Sequence, residues 1–317
     1  MAKKTEAETL DALIFIDTNI FLDFYRITKT DVSMEYLSKI ISHKDVIITS
    51  SQVEMEFKKN RQKVIKEAVE AFQKTKSLNF SIPQMLEDTR AVNAMNAAKK
   101  RVAEQQLKIE KKIQEIFMDP DKHDPLYRTL NQLFKNPSPY NLNRTNKKRY
   151  SIRNLSRKRF VLGYPPRKGS DITIGDSVNW EWLIECAVQS KKHIIIVTRD
   201  QDYGLKYGSE PYLNDWLKQE FKERVGAKRQ IILTDKLSKA FKLLKIEVTE
   251  AMVKVENDLI ERPASLITQD MLKNLKRMFA RYDARDEPFD ASQVYPEYTK
   301  DFIDDDTRTD QYDHDPH

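Results

Sequence analysis

The chain has 317 residues, a formal net charge of +6, and 33% charged against 39% hydrophobic residues. That length admits one large domain or two modest ones. A single Cys excludes an intramolecular disulfide, and no run of about 18 apolar residues is present to span a membrane as a helix. Two early lysines are followed by acidic and polar residues, which is not a secretory pattern, so a cytoplasmic protein without a membrane partner is expected.

In chain order, Ala12 to Ile16 is a short apolar run closed by Asp17 and predicts a buried strand. Met34 to Ile41 predicts a helix, with Leu37, Ile40 and Ile41 on one face. Val46 to Thr49 predicts a second strand, and Ser50 or Ser51 an N-cap for the helix that follows. That helix carries Val53, Phe57, Val64 and Ala68 at helical spacing. Residues 85–118, rich in Ala, Lys, Glu and Gln, predict one long and mostly exposed helix. It is a candidate surface for self-association or for a protein partner. A shorter helix is expected over Leu126 to Phe134, before a basic stretch.

Alternation then resumes. Helices are predicted over Asp176 to Val188, Pro211 to Glu223 and Asp235 to Leu244, and strands over His193 to Thr198 and Gln230 to Leu233. Strands separated by helices predict a mainly parallel sheet with helices on both faces. The expected organisation is an α/β domain over residues 1–250, interrupted by a helical and basic insertion at about 75–160. A helical appendage over 251–300 and an acidic tail over 301–317 complete it.

Charge is unevenly spread. The tail holds seven Asp and one Arg, and the rest of the chain is correspondingly basic. Residues 141–170 contain ten Lys and Arg, among them Arg157, Lys158, Arg159, Arg167 and Lys168, with no acid. Tyr140, Tyr150, Phe160 and Tyr164 lie among these bases. Cations interleaved with aromatics suit a phosphate backbone and stacked bases, so nucleic acid is the expected partner. The alternative for such a run is a solvated basic face.

The acids give the second signal. Asp17 follows the first strand, and Asp200 and Asp202 follow the third. Equivalent ends of parallel strands open on one side, where ligands bind. Taken singly, each is also an ordinary turn or capping acid. Asp176 falls on the apolar side of its helix, four residues before Trp180. Glu54 and Glu56 flank the Val53–Phe57–Val64 stripe on opposite sides, and periodicity does not choose between them. Crowded carboxylates need a neutralising cation, and an all-oxygen set suits Mg²⁺ or Mn²⁺. Zinc-type spacing, a Gly-rich phosphate loop and a G-x-S-x-G motif are all absent.

Four segments together resemble PIN-domain nucleases. They are Ile14-Phe15-Ile16-Asp17-Thr18-Asn19, Ile48-Thr49-Ser50-Ser51-Gln52-Val53-Glu54-Met55-Glu56-Phe57, Gly175-Asp176-Ser177-Val178-Asn179-Trp180, and Ile195-Ile196-Val197-Thr198-Arg199-Asp200-Gln201-Asp202. The nearest likeness is to a bacterial PIN-like branch with a long helical insertion and a segment like Leu162-Gly163-Tyr164-Pro165-Pro166-Arg167-Lys168. The resemblance implies a Rossmann-like three-layer α/β sandwich with a mainly parallel sheet, carrying extra helices. It also implies metal-dependent hydrolysis of RNA, or sometimes DNA. Asp17, Glu56, Asp176 and Asp200 take the catalytic and metal-binding positions, with Asp202 an outer or alternative ligand. Glu56 is preferred over Glu54 by resemblance alone. Asn19 would position water or substrate, and Arg167 and Lys168 would contact phosphate. Three other readings compete: a non-catalytic nucleic-acid-binding protein of the same fold, an interaction protein built on the long helix, and a dehalogenase-type phosphatase. Asn19 stands where the phosphatase would carry its second Asp.

Overall fold

The computed structural model describes residues 10–27, 29–74, 83–86, 89–166 and 173–261. In chain order these form β1 (Ala12–Ile16), α1 (Thr18–Asp23), α2 (Thr30–Ser42), β2 (Ile47–Ser50), α3 (Ser51–Lys74), α4 (Arg90–Met118), α5 (Pro120–His123) and α6 (Pro125–Phe134). There follow β3 (Asn141–Leu142), α7 (Arg149–Val161), α8 (Gly175–Ser190), β4 (His193–Val197), β5 (Gly204–Tyr207), β6 (Glu210–Leu213), α9 (Asp215–Val225), β7 (Ile231–Thr234), α10 (Leu237–Leu243) and α11 (Glu250–Glu261). The expected acidic tail lies outside the described residues.

The central sheet has five strands in the order β3-β2-β1-β4-β7, all parallel. Helices cover both its faces, so the fold is the expected PIN-like three-layer sandwich. Every residue of β1 and β2 is buried, as a strand packed on both faces requires. The strand order reverses between β1 and β4. Chain leaving these two neighbours turns to opposite faces, and a crevice opens at their carboxyl ends. Register sets what faces it: Ile16 pairs with Val197, which brings Asp17 beside Thr198.

Ser50 provides the predicted cap of α3, its hydroxyl accepting from the Val53 N–H at 3.1 Å. Helix α8 is buried on nearly every side, from Val178 through Trp180, Trp182 and Leu183 to Ala187. The Trp182 indole N–H donates to the carbonyls of Thr49 (3.1 Å) and Tyr140 (3.2 Å), tying α8 to the sheet edge.

Two local differences from expectation have physical causes. Pro211 to Leu213 form a strand, not the start of a helix. They pair with β5 in an antiparallel hairpin whose turn uses Gly208 at φ +62°, and the helix begins only after Asn214 caps it. Residues 141–161, part of the expected insertion, supply edge strand β3 and covering helix α7. Helix α11, in the expected appendage, packs on α10: Glu256 is buried and accepts from the Leu237 and Ser238 N–H groups at the start of α10.

Two buried ionic clusters fasten the outer helices. Arg61 on α3 pairs with Asp124 at 2.7 Å, and its guanidinium also donates to the Ile116 carbonyl, joining α3 to the α4–α6 region. Tyr25 completes that cluster by donating to Asp124 at 2.6 Å. On the other face, Arg159 of α7 pairs with Glu181 of α8 at 2.8 Å and with Glu220 of α9. Arg224 also pairs with Glu181, at 2.7 Å. Burial would raise the Glu181 carboxyl, but hydrogen bonds from Arg224 and Arg159 outweigh it and hold the group below its ordinary value. Removing one partner of a buried pair strands the other. Arg159→Ala is therefore expected to cost about 3–5 kcal/mol, read by urea unfolding. A loss below about 1 kcal/mol would show that Arg224 alone satisfies Glu181.

Candidate active site

Asp17 leaves β1 and caps α1, so the capping reading and the functional one describe the same carboxylate. One oxygen accepts from the Thr18 N–H at 2.6 Å. The other accepts from the Asn19 amide at 2.7 Å and the Thr198 hydroxyl at 2.6 Å. The Thr198 hydroxyl in turn accepts from the Asp200 N–H at 3.0 Å, so one buried threonine holds the first and fourth acids together. The Asn19 carbonyl oxygen accepts from the Arg199 N–H at 3.2 Å and closes the loop.

Glu56 reaches the same place from α3. It accepts from the Thr18 hydroxyl at 3.0 Å and the Gln52 amide at 2.7 Å. Glu54 faces outward and pairs with Lys58 at 2.6 Å. Packing thus brings Glu56 to Asp17 and Thr18 and leaves Glu54 with Lys58. Asp176 sits in the first turn of α8, next to Gly175. A Cβ at Gly175 would lie 2.5 Å from a Glu56 carboxylate oxygen and 2.8 Å from the Gln52 amide nitrogen. Glycine at this position lets the second and third acidic segments meet. Asp202 approaches from the loop after β4, and its charge is felt at the Tyr203 hydroxyl together with those of Asp176, Asp17 and Glu56.

Five acids from four distant stretches therefore share one rim of the sheet. Burial pushes the Asp17 carboxyl up to about 7; the Thr198 hydrogen bond lowers it, Asp200 and Glu56 raise it, and the Thr18 N–H lowers it. The hydrogen-bond donors to Asp17 and Glu56 are neutral groups. This chemistry fits a hard divalent cation: oxygen donors, excess negative charge, and neutral hydrogen bonds that orient the carboxylates. The fit is one of chemistry and placement. Among the described residues, no three acidic, His or Cys side chains form a set that could hold an ion as they stand.

The basic residues divide. Arg157 and Lys158 are exposed on α7. Arg159 is 4% exposed and held by Glu181 and Glu220, so it is corrected from a substrate contact to an interior ion-pair residue. Its place on the buried side of α7, between exposed neighbours, was not visible in a run of like charges. Arg167 and Lys168 lie outside the described residues. A cavity of about 120 Å³ is lined by Tyr164, Trp216, Gln219, Glu220 and Glu223.

Sequence reasoning assigned no role to Thr18, Gln52, Gly175 or Thr198. The signal for Thr198 was its register opposite Asp17, and for Gln52 its place one turn before Glu56. A family model described as PIN domain matches residues 14–203, more than half of the chain and the whole span from β1 past the last candidate acid. No characterised protein and no solved structure matches.

Two outcomes are expected. Because the native Asp17 pKa lies above the ordinary carboxylate value, the folded state binds more protons between about pH 4 and 7. This group's contribution to stability should fall as pH rises through that window and stay lost above it. Asp17→Asn should remove the slope and stabilise the metal-free protein at pH 8 by on the order of a few kcal/mol. Thermal unfolding at pH 5 and pH 8 checks this; an unchanged slope would mean that Asp17 is not the buried proton acceptor. Separately, Glu56→Gln should weaken Mn²⁺ binding in titration calorimetry by at least about tenfold, and Glu54→Gln should leave it unchanged.

Proposed function

The chain belongs to the PIN-domain family, and on that premise we propose that it is a metal-dependent endonuclease acting on RNA in preference to DNA. Proteins of this family are in general nucleases that use divalent metals and bind nucleic acid. The observation that carries the finer reading is the gathering of Asp17, Glu56, Asp176, Asp200 and Asp202 at the strand-order switch, with Asp17 raised to about 7. The preference for RNA rests on the resemblance.

Asp17, Glu56, Asp176 and Asp200 would hold Mg²⁺ or Mn²⁺, with Asp202 beside them. Such an ion supplies Lewis-acid activation, orientation of the phosphodiester and neutralisation of charge on the leaving oxygen. The chain's own part is positioning. Thr198 sets the Asp17–Asp200 spacing, Gln52 and Thr18 aim Glu56, and Asn19 ties Asp17 to the Arg199 backbone.

Helix α7 supplies the strand-holding surface in this reading. Arg149, Arg153 and Arg157 recur every four residues and share a face. Burial and repulsion from Arg149, Arg157 and Arg144 lower the Arg153 pKa, which places the four guanidinium groups in each other's field. Tyr150 is exposed beside them. Lys148 at the start of α7 reaches Glu185 and Gln189, and Arg159 near its end reaches Glu181, so α7 runs antiparallel to α8. The arginine ridge therefore leads toward the helix end that carries Asp176. From Arg149 to Arg157 it spans about 12 Å.

The test is cleavage of labelled single-stranded RNA and DNA in Mn²⁺, Mg²⁺ or chelator. The wild type should cut RNA with either metal, and Asp176→Asn should lose at least about a thousandfold in rate while keeping its binding and its fold. Normal cutting by that variant would refute the site. Binding without cleavage on both substrates would select the non-catalytic reading. Replacing Arg149, Arg153 and Arg157 by Ala should flatten the salt dependence of RNA binding by about 2 in log–log slope, at about 0.7 for each phosphate that is no longer neutralised.

A further inference from the structure

Tyr203 follows the last acid and is 1% exposed. Its ring packs against Phe15, with centroids 6.4 Å apart. Asp17 continues β1 in extended conformation, its N–H donating to the Val197 carbonyl at 3.0 Å, so its side chain projects to the same side of the sheet as that of Phe15. The ring thus lies beneath Asp17. The Tyr203 backbone is fixed as well, its carbonyl accepting from the Asn214 N–H at 2.9 Å at the start of α9. The hydroxyl is fully enclosed and makes no hydrogen bond, although the carboxylates around it are natural acceptors. Burial first, and then the charges of Asp176, Asp17, Glu56 and Asp202, push this phenol well above its ordinary value. The oxygen therefore lies near the acidic rim.

A buried hydroxyl without a partner is uncommon in folded proteins and costs stability. Phenylalanine would fill the same space against Phe15 and avoid that cost. The packing of the ring accounts for an aromatic residue here and leaves the oxygen unexplained. What the position offers is a neutral donor at the floor of an acidic cleft.

We propose that the Tyr203 hydroxyl is a further working group of this site, donating a hydrogen bond to an oxygen ligand that enters the cleft with the cation. That oxygen is either a water of the hydrated ion or a non-bridging oxygen of the substrate phosphate. The inference rests on the metal-dependent reading above. It adds a donor that orients the ligand oxygen without adding charge to a crowded anionic site, the role outer partners have around metals.

Tyr203→Phe in the full chain tests it with three readouts. The melting temperature of the metal-free protein should be unchanged or a few degrees higher, because an unpaired buried oxygen is removed. Mn²⁺ affinity is measured calorimetrically without nucleic acid, and affinity for an uncleavable phosphorothioate RNA in Mn²⁺ by anisotropy. A drop of about 10–100-fold in Mn²⁺ affinity identifies the oxygen as a water of the ion. An unchanged Mn²⁺ affinity with a comparable drop in oligonucleotide affinity identifies a phosphate oxygen. Either supports the proposal, and the cleavage rate should fall with it. Wild-type values in both titrations and in rate overturn it, as does a lowered melting temperature with function intact. If the wild type cuts nothing but Tyr203→Phe still weakens Mn²⁺ binding, the nuclease reading fails and the donor assignment stands. If the wild type cuts RNA and the variant matches it in rate and in both titrations, the reverse holds.

Discussion

Like charges brought together at a buried edge repel, and in this protein the surrounding structure holds them there. Asp17 is the centre of that arrangement. It ends the middle strand of the sheet, is almost fully enclosed, and feels Glu56 and Asp200. Three neutral donors, from Thr18, Asn19 and Thr198, fix its two oxygens. Neutral donors orient a carboxylate without cancelling its charge. A lysine or arginine in their place would have made a stable ion pair and cancelled that charge.

The opposite strategy governs the periphery. There, buried acids are paired outright: Asp124 by Arg61, and Glu181 by Arg159 and Arg224. These pairs join helices that come from distant parts of the chain. Through them the long α4 region is fastened to α3, and α7 and α9 to α8. The acids of the rim ride on these elements, since Glu56 lies on α3 and Asp176 on α8. Buried acids are held by arginines where they fasten helices, whereas Asp17 and Glu56 at the crevice are held by neutral hydrogen-bond donors.

The fold was largely legible in advance because its signals are local. Runs such as Ala12–Ile16 and His193–Val197 are too short for helices and too apolar for exposed strands. Serine before a helical stripe marked the start of α3. The hairpin of β5 and β6 was missed, since Pro211 and the residues after it also open a helix plausibly, and only pairing with residues 204–207 decides for a strand. Edge strand β3, inside the expected insertion, went unread for a similar reason: a two-residue strand carries almost no signal of its own.

By itself, the sequence determined the alternation of strands and helices, the segments that carry acids, and the concentration of positive charge in residues 141–170. These follow from composition and periodicity, which act over a few residues. Tertiary structure alone decided which acids converge and which bases stay outside. Glu56 turns inward and Glu54 outward because α3 docks on the sheet by one face. Arg159 is interior while Arg157 and Lys158 are not, because α7 lies against α8 and α9. Chain neighbours one or two positions apart on a helix point in different directions, and only the packing partner determines which of those directions is buried.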